Sequence, residues 1–387
     1  MKILLINGGR GAKQIIPELT KHKKFKITSL VNAYDDGQST GEIRKFFNIL
    51  GPSDIRKVHQ LFLDKKNKNY SLLNLIFSFR FDKNINRNIA LKQLQNKQFE
   101  SKDSKINLYK LNKKYSKIFI DYIEIVYQKL LKIEYKSFNF GDCSLMNLIY
   151  VGAIYKYKLS ISDAVDSINK LLPLNGKVIV NSNENKFLIA RRENGQIIED
   201  EEKIVNLRSN ARISDLYLLN TKEHIKKRFK NKSIKNSYPK ITKQAKNYIK
   251  TSDIIIYCPG TQHSSLYPTY MTKLLNKNIS ENKKSLKIFI TNIGEDYETP
   301  SFNASDYINY AFKYLTINTK KNFYYHNFFD YIFINLPNKI KKNYVPVDYF
   351  NLEKIKIKKI IKNFSKKNNL GQHDGKKIVN QIINLIK

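Results

Sequence analysis

The chain has 387 residues, 41% of them hydrophobic and 12% aromatic, with a formal net charge of +37 from 70 Lys and Arg against 33 Asp and Glu. Such a composition buries a large core and excludes a disordered chain. No apolar run reaches the roughly 18 residues of a membrane span, "NGGRG" ends the apolar opening "MKILLI" too early for a signal peptide, and Cys143 and Cys258 alone are too few for a disulfide framework.

A cytoplasmic protein with no membrane partner is therefore expected. The positive charge tracks a composition rich in lysine, asparagine, isoleucine and tyrosine throughout. Its densest run, Lys222 to Lys250, is rich in lysine and asparagine. A nucleic-acid face would concentrate arginines and stacking aromatics, so nucleic acid is not the expected partner.

Residues 2–7, "KILLIN", read as a buried parallel strand that stops at Gly8-Gly9. A helix over 12–21 and a second strand over 25–33, "FKITSLVNA", follow. From 64 to 135 glycine disappears, and apolar residues recur at helical spacing in "LLNLIFSFRF" and "YSKIFIDYIEIVYQKLLKI", which predicts a helical insertion. Helices are expected over 142–157 and 160–172. Between 176 and 219, short alternating runs around the turn "ENGQ" predict a small antiparallel region. "SDIIIYCPG" (252–260), "LKIFITNIG" (286–294) and "YIFINL" (331–336) read as further strands. Helices near 264–276 and 304–317 lie between them, and the tail 352–387 reads as helical. This alternation predicts a single α/β domain over 1–387, a Rossmann-like three-layer αβα fold with a mostly parallel sheet. The insertion 64–135 and the antiparallel region 176–219 lie within it.

The unusual residues fall at strand ends, where open α/β sheets bind ligands. Gly8, Gly9 and Gly11 precede a helix, so backbone amides and the positive helix end can approach a phosphate; a plain tight turn explains them equally. Pro259, Gly260 and Thr261 with Ser264 and Ser265 form a similar turn, rich in donors, that also reads as an ordinary helix cap. Asp35 and Asp36 stand in "AYDDGQSTG", suited to an Asx-turn, to a base or sugar contact, or to holding Mg²⁺ beside phosphates. "GPSDIRK" (51–57) adds Asp54 and Arg56 at a helix start, and the Arg56 guanidinium has the forked geometry that phosphate oxygens suit. No nucleophilic triad is evident.

Together these pieces resemble the CofD/YvcK family, the 2-phospho-L-lactate transferases and their gluconeogenesis-factor relatives. The family's GGTGL start, ADDGGSSG and PPGDIR segments and GPGSLYTSLLP loop correspond to "GGRGA", "AYDDGQSTG", "GPSDIR" and "CPGTQHSSLYP". "FGDCSLMNLIYVGAIY", "KLLPLNGKVIV", "NIGEDYET" (292–299) and His373-Asp374 follow in family order. The likeness covers almost the whole chain except 64–135 and 223–236. The forms DDGxSxG and PxDIR place it nearer the second branch. Arg10 stands where a threonine is usual, Asp142 for an asparagine and Cys258 for a glycine.

The resemblance implies a nucleoside diphosphate or nucleotide-sugar ligand. It implies contacts from Gly8, Gly9, Arg10, Gly11, Gly37, Ser39, Gly41, Asp54, Asn147, Pro259, Gly260, Thr261, Ser264, Ser265, Asn292 and Glu298. Asp35 and Asp36 would hold Mg²⁺ or deprotonate an acceptor, and Arg56 would steady the diphosphate. Two functions are consistent with this set. One is a transferase moving a phosphorylated group from a nucleoside-diphosphate donor to an acceptor hydroxyl; the other is a non-catalytic UDP-sugar-binding regulator. An acceptor pocket would separate them, and the insertion 64–135 is where one is expected. A homo-oligomer is compatible with either.

Overall fold

The computed structural model describes residues 1–35, 37–133, 137–206, 208–230, 234–294, 296–337, 344–367 and 371–386. Twelve strands form among them. In chain order they are β1 (Lys2–Ile6), β2 (Lys26–Val31), β3 (Gln98–Ser101), β4 (Ser104–Asn107), β5 (Lys177–Val180), β6 (Phe187–Arg192), β7 (Ile197–Ile198), β8 (Ile213–Leu219), β9 (Ile254–Tyr257), β10 (Leu286–Ile290), β11 (Tyr331–Asn335) and β12 (Lys358–Lys362). Seven of these make one sheet in the order β12-β11-β10-β9-β1-β2-β5, and every pairing in it is parallel. The central strands are unbroken apolar runs because both faces are covered: Leu4, Leu5 and Ile6 of β1 and Ile254, Ile255 and Ile256 of β9 have no exposed surface.

Helices pack in two separate groups. Ile15–Leu19, Ser53–Phe62, Leu145–Lys156, Ile161–Leu171 and Gly375–Leu385 belong to one, and Lys243–Thr251, Leu275–Glu281 and Ala304–Thr316 to the other. The fold is the expected three-layer αβα arrangement. Its core strands lie where the sequence reading puts them.

Five segments differ from that reading. "KVIV" leaves the antiparallel region and pairs with β2 as an edge of the main sheet. The small antiparallel sheet is then β7-β6-β8. The tail is not wholly helical, since β12 closes the opposite edge. "KKIIK" puts lysines at both ends of that exposed strand, which discourages pairing with another chain. The stretch 64–135 contains helices Tyr70–Ser78, Arg87–Asn96 and Lys113–Lys132, but also the hairpin β3–β4. After β1 the helix is only Ile15–Leu19, because residues 9–14 are turns. After β9, a wide π-helical turn over Gln262–Leu266 leads to the short helix Tyr267–Tyr270 instead of one helix from 264 to 276.

Candidate nucleotide-diphosphate site

The sheet order reverses between β1 and β9: from β1 the chain runs outward to β2 and β5, from β9 outward to β10, β11 and β12. The loops leaving the carboxyl ends of β1, β2, β9 and β10 meet at this switch point, where α/β sheets take their ligands.

Two loops touch through bare backbone. A Cβ built on Gly11 would lie 1.8 Å from the Pro259 carbonyl oxygen, so any side chain there drives the β1 and β9 loops apart. Gly260 has φ +143°, a conformation side chains rarely adopt. Asn292, at the end of β10, clamps that glycine from behind: its Oδ1 accepts the Gly260 N–H at 2.9 Å, and its Nδ2 donates to the Gly260 carbonyl at 3.0 Å. The five-residue helix after β1 begins too late to aim its end at this loop. Loop amides, rather than a helix terminus, are what that loop offers an anion.

Asp54, at the start of helix Ser53–Phe62, ties three segments together. Its Oδ1 accepts from Lys57 Nζ at 2.9 Å, its Oδ2 accepts from Ser265 Oγ at 3.2 Å, and its carboxylate also accepts the Gly9 N–H. Ser265 Oγ in turn meets Thr261 Oγ1 at 2.9 Å. Burial alone would raise the Asp54 carboxyl, but the Lys57 charge and these hydrogen bonds outweigh it and hold it below the usual carboxylate range. The partner effect appears in Lys57. Burial would lower its ammonium, and the facing Asp54 and Asp35 charges raise it instead.

Glu298 grips the same β9 loop from the other side. Its carboxylate accepts the His263 N–H at 2.8 Å, the Ser264 N–H at 3.0 Å and the Ser264 hydroxyl. It is buried with no cation in ion-pair contact among the described residues, and burial together with the Asp296 charge pushes its carboxyl well above the usual range.

Between these holds lies a cavity of about 430 Å³ lined by Gly9, Arg10, Asp35, Gly37, Asp54, Lys57, Glu201, Thr261, Ser264 and Ser265 among others. Pocket volumes for small ligands start near 300 Å³. A second cavity of about 470 Å³ shares Arg10 and Thr261 with it and runs past Gly11, Pro259, Gly260, Asn292, Asp296 and His373. Arg10 therefore stands between two lobes. Donors and cations form one wall of the first lobe, and two carboxylates form another. Asp35 Oδ1 accepts the Gly37 N–H at 3.1 Å, an Asx-turn. The position of a Gly37 Cβ lies 3.4 Å from Asp35 Oδ1 and 3.7 Å from Glu201 Oε2, so both carboxylates flank one point.

Asp36 lies outside the described residues. Arg56 is placed differently from the diphosphate grip expected of it: it lines neither lobe, its Nη1 donates to the Phe77 carbonyl at 2.7 Å, and burial with Arg80 nearby lowers it to about 10. Glu298 lines neither lobe and acts on the loop from behind. Gly8, Ser39 and Gly41 are likewise absent from both linings, and so is Asn147, a fully buried residue whose amide has no partner among the described residues. Asp142 is neutralised by Arg80 of the insertion at 3.0 Å, away from both lobes. His373 lines the second lobe, and Asp374 caps the last helix through the N–H groups of Lys376 and Lys377.

Lys57 and Glu201 are the charged residues lining the first lobe that the sequence reading missed. Lys57 was detectable in principle, one position after Arg56 on a helix that begins at the site. Glu201 was not, since it arrives from helix Glu201–Asn206 of the antiparallel region.

The comparisons with known proteins agree with this architecture. A gluconeogenesis factor from Bacillus subtilis is 24% identical over 399 residues, covering 100% of this chain and 98% of its own length. One from Listeria innocua is 25% identical over 311 residues, 79% of this chain and 71% of its own. The crystal structure of a UPF0052-family protein from Bacillus halodurans superposes with a TM-score of 0.69 at 19% identity, covering 99% of this chain and 98% of that one. The family model described as 2-phospho-L-lactate transferase CofD matches residues 3–365, and the chain belongs to that family.

Proposed function

We propose that the protein binds a nucleoside-diphosphate-activated small molecule across the switch point and transfers its phosphorylated group to an acceptor hydroxyl. The observation that carries this reading is the pair of lobes divided by Arg10, with loop amides, hydroxyls and Lys57 along one wall. The diphosphate lies against the Gly9–Gly11 and Gly260–Ser265 loops. One lobe takes the nucleoside and the other the transferred group. With no activated nucleophile lining the site among the described residues, the acceptor hydroxyl attacks as the bond to the nucleotide breaks, and rate enhancement comes from positioning and from cations facing charge that develops on the leaving nucleotide. Asp35, which lines the first lobe, takes the acceptor's proton.

Mg²⁺ fits this wall. It is held through one or two carboxylates plus substrate phosphates, and Asp35 and Glu201 supply two carboxylates around Gly37. The ion would neutralise phosphate charge; Lys57 and Arg10 do the same from the opposite side.

A second reading has its own support. Arg56 holds the end of helix Tyr70–Ser78 and Glu298 the back of a loop, and a relative matching over 98% of its own length carries the name gluconeogenesis factor. On that reading the same lobes sense a UDP-sugar without turnover. Calorimetry against GDP, UDP and UDP-sugars, followed by mass spectrometry of the bound ligand after incubation with hydroxyl acceptors, tests both. Binding with release of free nucleotide supports transfer, and binding with the ligand intact supports sensing. No binding of any nucleoside diphosphate sinks both.

A further inference from the structure

A cavity larger than either lobe lies elsewhere. It measures about 810 Å³ and shares no lining residue with either lobe. Three separate segments enclose it, 240–246, 273–277 and 318–323. Lys240, Lys243, Lys246, Lys273, Lys277 and Lys321 make up six of its thirteen lining residues, and none of the thirteen is acidic. The groove on the insertion is different: its three lysines share the wall with Glu100. Among the described residues, two of the six have a carboxylate close by: Lys277 has Glu281 at 3.8 Å on the same helix, and the Lys240 N–H donates to Glu184 at 3.1 Å.

Backbone geometry forces this charge together. Lys240 and Lys273 oppose one another across a short parallel bridge, closed by the Lys273 N–H on the Pro239 carbonyl at 2.8 Å. Helix Lys243–Thr251 also begins in this wall. Thr242 Oγ1 caps the Ala245 N–H at 3.1 Å, and the positive end of a nine-residue helix adds to the same sign of field.

We infer that this cavity is a second anion site that takes a compact small molecule carrying several phosphates. Its volume lies within the range of roughly 300–1,000 Å³ typical of small-ligand pockets. Its cations converge on a concavity instead of tracking a stripe, no arginine lines it, and Phe323 is its single lining aromatic. A nucleic-acid groove would carry the opposite features. The inference is independent of what the two lobes bind.

Inorganic tripolyphosphate is the probe. Amine-acylation footprinting at physiological salt should show several-fold protection of Lys240, Lys243 and Lys273 by the probe, while exposed Lys65 and Lys113 react unchanged. The double variant Lys240→Gln/Lys273→Gln should lose that protection on Lys243 and weaken probe affinity at least tenfold. It should keep wild-type thermal stabilisation by the best nucleoside diphosphate. Protection spread evenly over exposed lysines, or an unchanged affinity in the double variant, would overturn the site. So would a mixed-sequence DNA duplex that competes the probe away at equal phosphate concentration.

Discussion

Asp54 and Glu298 are two buried carboxylates gripping one loop, Thr261–Ser265, from opposite sides, and they behave in opposite ways. Asp54 has Lys57 at 2.9 Å and stays ionised below the usual range. Glu298 has Asp296 for a neighbour and no cation in ion-pair contact among the described residues, and its carboxyl rises. Burial is nearly the same, with 5% and 1% of the residue exposed. A single cation decides the difference. On the Asp54 side the charge pair lines the cavity; on the Glu298 side the carboxyl group is sealed behind the loop.

The largest effect is expected from the Asp54 side. Asp54→Ala leaves Lys57, Ser265 Oγ and the Gly9 N–H without their shared acceptor. Removing one partner of a buried pair costs about 3–5 kcal/mol. Urea unfolding should show that loss, and calorimetry should show nucleoside-diphosphate affinity falling more than tenfold. A loss under about 1 kcal/mol would mean the pair does not organise the loops.

Gly11→Ala comes next. The added methyl meets the Pro259 carbonyl and must push two loops apart, at about 1–3 kcal/mol by analogy with overpacked cores. Ligand stabilisation in a thermal shift should largely vanish. Retention of full ligand stabilisation would show that the loop contact is incidental.

Lys57→Met keeps most of the stem and removes the charge. Its expected signature is about tenfold weaker diphosphate binding, or roughly 1.4 kcal/mol. Affinity for the plain nucleoside should not change. Equal weakening of both ligands would place Lys57 in folding instead of phosphate contact.

The smallest effect, and the one that sharpens the contrast, is in pH. The folded protein keeps the Glu298 proton after the unfolded chain, titrating near 4.5, has released it. Stability from this group is therefore present at low pH and declines as pH rises from about 4.5 toward neutrality. Glu298→Gln should flatten that decline in urea unfolding followed from about pH 5 to about pH 8. Asp54 has the reverse sign: its contribution is present above its ordinary 3.8 and is lost as pH falls through its lowered folded value, so Asp54→Asn should flatten the acid limb. Identical pH profiles for the two variants would erase the distinction drawn between them.

The sheet was largely legible because fully buried parallel strands show as short apolar runs ending in glycine or proline, as in "KILLIN" and "DIIIYCPG". β5 and β12 were not. "KVIV" is four residues long and adjoins hairpin signals, so nothing local reveals that its partner is β2. "KKIIK" interleaves lysine with isoleucine, a pattern that fits an amphipathic helix as well as an exposed edge strand. The loop residues of the site were legible for a different reason, since close backbone approach leaves glycine as its signature. Division of labour among the acids was not. Whether a carboxylate faces the cavity, as Asp35 does, or the back of a loop, as Glu298 does, depends on which loop stands in front of it.

The central claim is that the diphosphate sits between the β1 and β9 loops. A crystal structure with a bound nucleoside diphosphate tests it most directly. The account predicts phosphate oxygens within hydrogen-bond reach of the amides of residues 9–11 and 260–261, with Lys57 Nζ on the same phosphates. Phosphates found instead among the lysines of the distant cavity, or against the insertion 64–135, would contradict it.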